Sequence, residues 1–284
     1  MEYILSLLVL IGLYIALASS FNLIIGFGGL VSIAHPIFFA LGAYTAGVLS
    51  VQFNLTPVLA IAAGGAVALG ASFMLSLPSL RISGDYLLIT SIGFQLGLIE
   101  IIKNLDFLGG ASGLSGIPNI VEANRSLVFA ALSLAFALGV VLFVRALIRG
   151  PYGRAIQAMR DDELAFSALG RNAMMIKITI FALGSGIAGV AGGIYAFYFQ
   201  YLTPDQFQIL QSAMILTMVV VGGMGSVWGP VVGAVLLITL PEAITFLNLP
   251  AQIMGPLQGV IFTLLVIIFL FVRPQGLVAP RRAN

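Results

Sequence analysis

The chain has one histidine, His35, and no cysteine. Composition therefore excludes a disulfide, a thiol nucleophile and a cysteine-held zinc or iron–sulfur centre. One imidazole cannot form a histidine metal cluster. His35 has no Ser or Asp placed in sequence to complete a nucleophile–base pair, and no HExxH, GxSxG or phosphate-cradling glycine loop occurs. No catalytic, cofactor-binding or metal-binding residues are assigned, and the chain reads as a non-enzyme. Within its apolar stretches the polar groups are few: Asn22, His35, Gln95, Glu100 and Glu242. Ionisable groups at membrane depth are costly and mark solute or ion pathways when they are kept there, so these five are the pathway candidates. A plainer reading competes for most of them. Glu100 and Glu242 lie toward the outer ends of their segments, where a carboxylate reaches water, and Glu100 can pair with Lys103 three residues on. Asn22 and Gln95 suit hydrogen bonds between helices.

Charge is concentrated in one internal island, 145–177. It holds Arg145, Arg149, Arg154, Arg160, Asp161, Asp162, Glu163, Arg171 and Lys177, against 12 Lys+Arg and 10 Asp+Glu in the whole chain. Ala155, Ala158, Ala165 and Ala168 favour a helix there, Gly150-Pro151 breaks the chain before it, and Gly170 punctuates its end. A short helix lying along the membrane surface would offer a mixed-charge face and small alanines to a soluble partner. A solvated linker is the alternative, but a linker needs cations and not an Asp-Asp-Glu run.

The elements that carry these residues are membrane helices. Hydrophobic residues make up 60% of the chain and charged residues 8%, with a mean hydropathy of +1.14; a soluble domain carries about 25% charged residues. A net charge of +2 gives no reason to expect nucleic acid. Runs of about 20 apolar residues span a bilayer, and nine such segments are read: 3–25, 36–51, 57–77, 86–102, 126–148, 174–199, 207–221, 229–246 and 251–272. Eight or ten would also fit, because the second, fourth and seventh are short. The first has no basic residues before it and is too long for a signal-peptide core, so it reads as a retained span. Placing the island in the cytoplasm puts Arg81, Arg273, Arg281 and Arg282 inside as well, leaving only Lys103 and Arg125 outside among the 12 Lys+Arg. The positive-inside rule then sets the N-terminus outside and the C-terminus inside. The longest outer loop, 103–125, is rich in Gly, Ser and Asn and reads as mobile.

Positions 28–36, GGLVSIAHP, align with 222–230, GGMGSVWGP, four of nine residues being identical. Paired Gly/Pro-interrupted segments are a feature of transporters built from repeats; chance recurrence among 33 glycines is the alternative. Gly28, Gly29, Pro36, Gly222, Gly223, Gly225 and Pro230 are read as helix breaks packed against other backbone. Gly184, Gly186, Gly189, Gly192 and Gly193 read as a helix-packing seam.

Several of these stretches carry a resemblance. GRAIQAMRDDE, 153–163, resembles the coupling-helix loop of the LivH/LivM permease family, the membrane subunits of bacterial ABC importers for branched-chain amino acids and related solutes. GGMGSVWGPVVGA, 222–234, resembles the family's GGxGSxxGPxxGA signature, and Phe21-Asn22-Leu23 through Gly42-Ala43-Tyr44 its first block. RISGDY, 81–86, is similar to the RxxGDY of the LivM branch. The resemblance implies an all-α polytopic permease over 1–284, with a cytoplasmic coupling loop at 149–173 and its longest periplasmic loop at 103–125. It implies that Arg154, Ala158, Arg160, Asp161, Asp162, Glu163 and Gly170 seat the loop on an ATPase. It further implies a LivH-like second permease, two cytoplasmic ABC ATPases that carry the ATP and Mg, a periplasmic or lipid-anchored solute-binding protein, and a bacterial or archaeal inner membrane. This chain itself would bind no cofactor. Urea, short amides and small carboxylates are the competing solutes; an ion-coupled carrier or a non-transporting scaffold are the competing classes.

Overall fold

The computed structural model describes residues 2–79, 84–121, 124–245, 260, 263, 264, 267, 271 and 276–278. α1 runs over Glu2–Asn22 and continues as a π-helical turn, Leu23–Phe27. α2 (His35–Phe53), α3 (Pro57–Ser79), α4 (Gly84–Asn104) and α5 (Arg125–Arg149) follow. The island folds as α6 (Pro151–Asp161) and α7 (Glu163–Ala168), and α8 (Ala173–Phe199), α9 (Ile209–Gly223) and α10 (Gly229–Thr245) complete the described helices. Seven of the helical stretches are long and apolar enough to cross a membrane, and α10 is a shorter apolar helix. Eight of the nine expected segments thus fall on helices; the ninth, 251–272, lies largely outside the described residues, as do Arg81, Ile82 and Ser83 of the RxxGDY-like stretch and Arg273, Arg281 and Arg282.

These helices are apolar on every side, so sequence period does not decide which face turns inward. Backbone proximity does. Lipid tails are as apolar as Leu, and close van der Waals contact is what holds membrane helices together. α2, α3 and α8 meet along a seam of glycines. A Cβ on Gly42 would stand 2.0 Å from the Gly189 carbonyl oxygen, and one on Gly189 would stand 2.5 Å from the Ala68 Cβ. Gly192 and Gly193 join the same seam against Phe39 and Ile61. α1 is the central post: every residue from 15 to 28 is buried, and its flanks touch α5, α8, α9 and α10. Outward faces of α3 and α5 show Val58, Leu59, Met74, Leu138 and Leu142, as lipid contact requires.

The loop 103–125 corrects one expectation. Its composition reads as mobile, yet it is tied down. Leu114 and Leu202 exchange backbone hydrogen bonds of 2.8 and 3.0 Å, Tyr201 Oη donates to the Ser112 carbonyl at 2.7 Å, and Gln52 donates to the Phe107 carbonyl at 3.2 Å. Leu114 and Ile117 are buried beneath Gly47. A loop that buries its own leucine and isoleucine has an anchor that its small residues do not reveal. Arg125 closes the far end, donating to the Phe197 and Tyr198 carbonyls at the end of α8.

The seam yields a stability test. Gly189→Leu forces side-chain volume into backbone and is expected to cost the purified chain at least about 1–3 kcal/mol, the scale of overpacking. Gly139→Leu, where nothing lies within 4 Å, is expected to leave thermal unfolding in detergent unchanged. Equal melting temperatures for the two variants would contradict the seam.

Candidate functional site

The charged island sits on the two glycine turns, and local chain chemistry builds that arrangement. Gly150 is extended and Pro151 opens α6, where a missing N–H and a fixed φ are tolerated. On α6, Gly153, Ile156 and Met159 are buried, while Arg154, Ala158 and Asp161 share the exposed face. The single expected helix is in fact two. Asp162 is extended (φ −152°, ψ 100°) and its side chain accepts from the Ala165 N–H at 2.9 Å, which ends α6 and caps α7. Glu163 pairs with Lys177 of α8 at 2.6 Å. Gly170, at φ +76°, turns the chain toward α8, which Asn172 caps through the Met175 N–H at 3.1 Å. α7 and its end nevertheless leave Leu164 84% and Leu169 80% exposed.

Arg160 is exposed as well, but its guanidinium reaches across to the end of α1. Its Nη1 donates to the Gly26 carbonyl at 2.5 Å. That carbonyl is available because α1 ends in a π-helical turn: Gly28, Gly29 and Leu30 donate to Leu23, Ile25 and Ile24, and none of these bonds reaches Gly26. The last carbonyls of a helix need partners from elsewhere. The stem of Arg160 crosses Gly29, whose φ is +68° and whose Cβ, if present, would stand 2.9 Å from the Arg160 Cγ. A Cβ on Gly225 would stand 3.5 Å from the same Nη1.

Asn22 holds the two turns together. It is fully buried. Its Oδ1 accepts from the Gly225 N–H at 2.9 Å and its Nδ2 donates to the Ser226 carbonyl at 2.8 Å. Both turns have the same build: a helix end, a left-handed glycine (Gly29; Gly223 and Gly225), and a proline, Pro36 or Pro230, as the second residue of the next helix. The end of α9 is tied further by Leu277 and Val278, whose N–H groups donate to the Val221 and Gly222 carbonyls at 2.9 Å each.

The remaining pathway candidates are scattered. His35 is buried at the start of α2, with Nε2 2.9 Å from Ser20 Oγ and its ring 4.9 Å from that of Phe21. Gln95 joins α4 to α9, donating to the Phe207 carbonyl at 3.2 Å and accepting from Ser212 Oγ at 3.0 Å. The expected Glu100–Lys103 pair does not form. Lys103 reaches Asp205 at 2.9 Å across the fold, and Glu100 accepts from Asn104 at 3.1 Å. Glu242 accepts from the Tyr3 hydroxyl and so joins the end of α10 to the start of α1. Of the charges read as an ATPase seat, Arg160, Asp162 and Glu163 are engaged within the chain, and Arg154 and Asp161 flank Ala158 on the open face. Gly26, Gly225 and Ser226 take part through backbone atoms, which side-chain chemistry does not signal.

Removing the Asn22 amide orphans the Gly225 N–H and the Ser226 carbonyl, and a buried group left unpaired costs about 1–3 kcal/mol. Asn22→Leu is therefore expected to lower the melting temperature of the purified chain and to speed hydrogen exchange at the Gly225 amide. Unchanged exchange there would show that the turns are held by something else.

The same architecture recurs among known sequences. Residues 3–270 match the family described as "Branched-chain amino acid transport system / permease component". The chain is 32% identical over 298 residues to the high-affinity branched-chain amino acid transport system permease protein LivM of Salmonella typhimurium, and equally to that of Escherichia coli K12; each alignment covers 95% of this chain and 68% of the relative. BraD of Pseudomonas aeruginosa, a permease protein of the same description, is 25% identical over 292 residues, covering 93% of this chain and 91% of the relative. No solved structure matches. The chain, mostly helical through its described residues and crossing a membrane several times, belongs to the permease-component family of branched-chain amino acid transport systems.

Proposed function

We propose that this chain is one of two related permease subunits in an ABC importer for branched-chain or other hydrophobic amino acids, and that it docks a cytoplasmic ATPase through α6. The family match supports the transport reading. The observation that supports the docking is the exposed face of α6, where Arg154, Ala158 and Asp161 stand one and two turns apart beside the protruding Leu164. A small residue between opposite charges admits close approach, and the charges set register. Gly170 and the Asp162 cap fix the loop's shape, so a pull on α6 arrives as rigid-body motion. ATP and Mg belong to the ATPases in this reading, and this chain holds no cofactor.

Solute recognition falls to a separate binding protein outside the membrane. Asn22, Gln95, Glu100 and Glu242 are each hydrogen-bonded within the chain, which supports a pathway wall with little selectivity of its own. The island faces the cytoplasm of a bacterial or archaeal cell, the N-terminus faces outward, and the C-terminus faces inward; the cation distribution supports this orientation.

Two measurements test these assignments. Ala158→Trp is expected to leave the chain inserted and paired with its sister permease but to abolish ATPase co-purification, whereas Arg154→Ala, an exposed charge with a value of about 0–1 kcal/mol, is expected to act weakly. Retained ATPase binding and uptake by Ala158→Trp would rule out α6 as the docking helix. Gln157→Cys in this otherwise cysteine-free chain is expected to react with impermeant maleimide only from the cytoplasmic side, and labelling of sealed cells would reverse the topology.

A further inference from the structure

We infer that Arg160 is a positioning residue, the internal joint that passes displacement of α6 to both glycine turns, and not a contact to a partner. This rests on the permease reading above and specifies how the loop acts on the membrane core. Three observations carry it. First, Arg160 is exposed like Arg154, Ala158 and Asp161, yet its guanidinium is engaged within the chain, bonded to the Gly26 carbonyl at 2.5 Å. Second, one side chain touches two turns. Its stem fills the space that a Gly29 side chain would need, and its Nη1 lies beside Gly225. Third, those turns already form one body, because the buried Asn22 amide bonds the α1 end to the Gly225-Ser226 backbone. Displacing Arg160 therefore displaces the inner ends of α1, α2, α9 and α10 together.

The chemistry suits a joint. A guanidinium–carbonyl bond is charge-assisted and directional. The π-helical turn supplies the acceptor by leaving the Gly26 carbonyl outside the α1 ladder. A solvated arginine that merely obeyed the positive-inside rule would need neither the freed carbonyl nor a residue without a side chain beneath its stem.

The test uses the complete complex, with sister permease, ATPases and binding protein, in sealed vesicles. Leucine uptake and ATP hydrolysis are measured together. Arg160→Ala is expected to keep the ATPases bound and hydrolysing while leucine moved per ATP falls about tenfold, the scale of one charged hydrogen bond; the half-saturating leucine concentration stays unchanged. Arg160→Lys, which restores one donor, is expected to recover part of the loss. A covalent replacement provides the second arm. A Cβ on Gly29 would stand 3.8 Å from the Arg160 Cβ, close to the disulfide mean of about 3.8 Å, and the chain has no other cysteine. The G29C/R160C variant is expected to be uncoupled when reduced and to regain coupled uptake when oxidised. Full coupling in Arg160→Ala, loss of ATPase binding in that variant, failure of the folded double variant to cross-link, or an oxidised form as uncoupled as the reduced one would each overturn the joint. If the unsubstituted complex shows no leucine-stimulated hydrolysis, the leucine permease reading itself falls, and the joint with it.

Discussion

Backbone polar groups buried in protein have no water to turn to, and this constraint organises the end of the molecule where α1 stops. α1 has to end while still surrounded by protein, since every residue from 15 to 28 is buried. Its terminal carbonyls and the exposed amides of the neighbouring turn need partners that only protein can supply. A side-chain amide carries both a donor and an acceptor, and Asn22 uses both on a single stretch of backbone, Gly225-Ser226. A leucine there would fill the volume and leave two groups unpaired. An aspartate would accept but not donate.

The opposite end of the bundle obeys the same rule with different residues. Arg125 donates to the Phe197 and Tyr198 carbonyls at the end of α8, as Arg160 donates to Gly26 at the end of α1. In both places an arginine reaches back from the water side to a helix C-terminus, where the carbonyls carry partial negative charge. Between these two layers the bundle is held by glycine contacts and contains few charges. Polar bonds tie its ends, and along its length glycine contacts accompany a buried apolar cluster that includes Phe38, Phe39, Phe181 and Phe207.

Much of the fold was legible because hydropathy reports directly on membrane spans: eight of the nine expected segments coincide with helices. The glycine seam was legible for the same reason, since small residues on one apolar helix have few other uses. The island's position and helical nature were readable from its alanines and its Gly-Pro start. Its break at Asp162 was not, because an Asp inside a mixed-charge run reads as surface charge until its side chain is seen capping Ala165. Direction was hidden as well. Arg154 and Arg160 look alike in sequence and both are exposed, and only the Gly26 carbonyl separates the one that bonds within the chain from the one that does not. Asn22 stood out as polar, but its partner lies 203 residues away. The Glu100–Lys103 pairing failed because a helix-local rule knows nothing of Asp205, which tertiary packing brings closer. The outer loop misled through composition, since two buried aliphatics outweigh many glycines.

The repeated glycine–proline turns gain meaning from this geometry. Two helix pairs, α1–α2 and α9–α10, are turned by the same local device on the same side of the membrane, and one asparagine joins them. Gly29, at φ +68°, lies under the Arg160 stem, and Gly225, at φ +75°, lies against the Gly26 backbone and the Arg160 guanidinium, which accounts for glycine at both positions. A proline at the second position of each following helix limits how the turn can relax. The combination is stiff inside each turn and bonded between turns. A force applied at that junction is shared by four helix ends rather than absorbed by one loop.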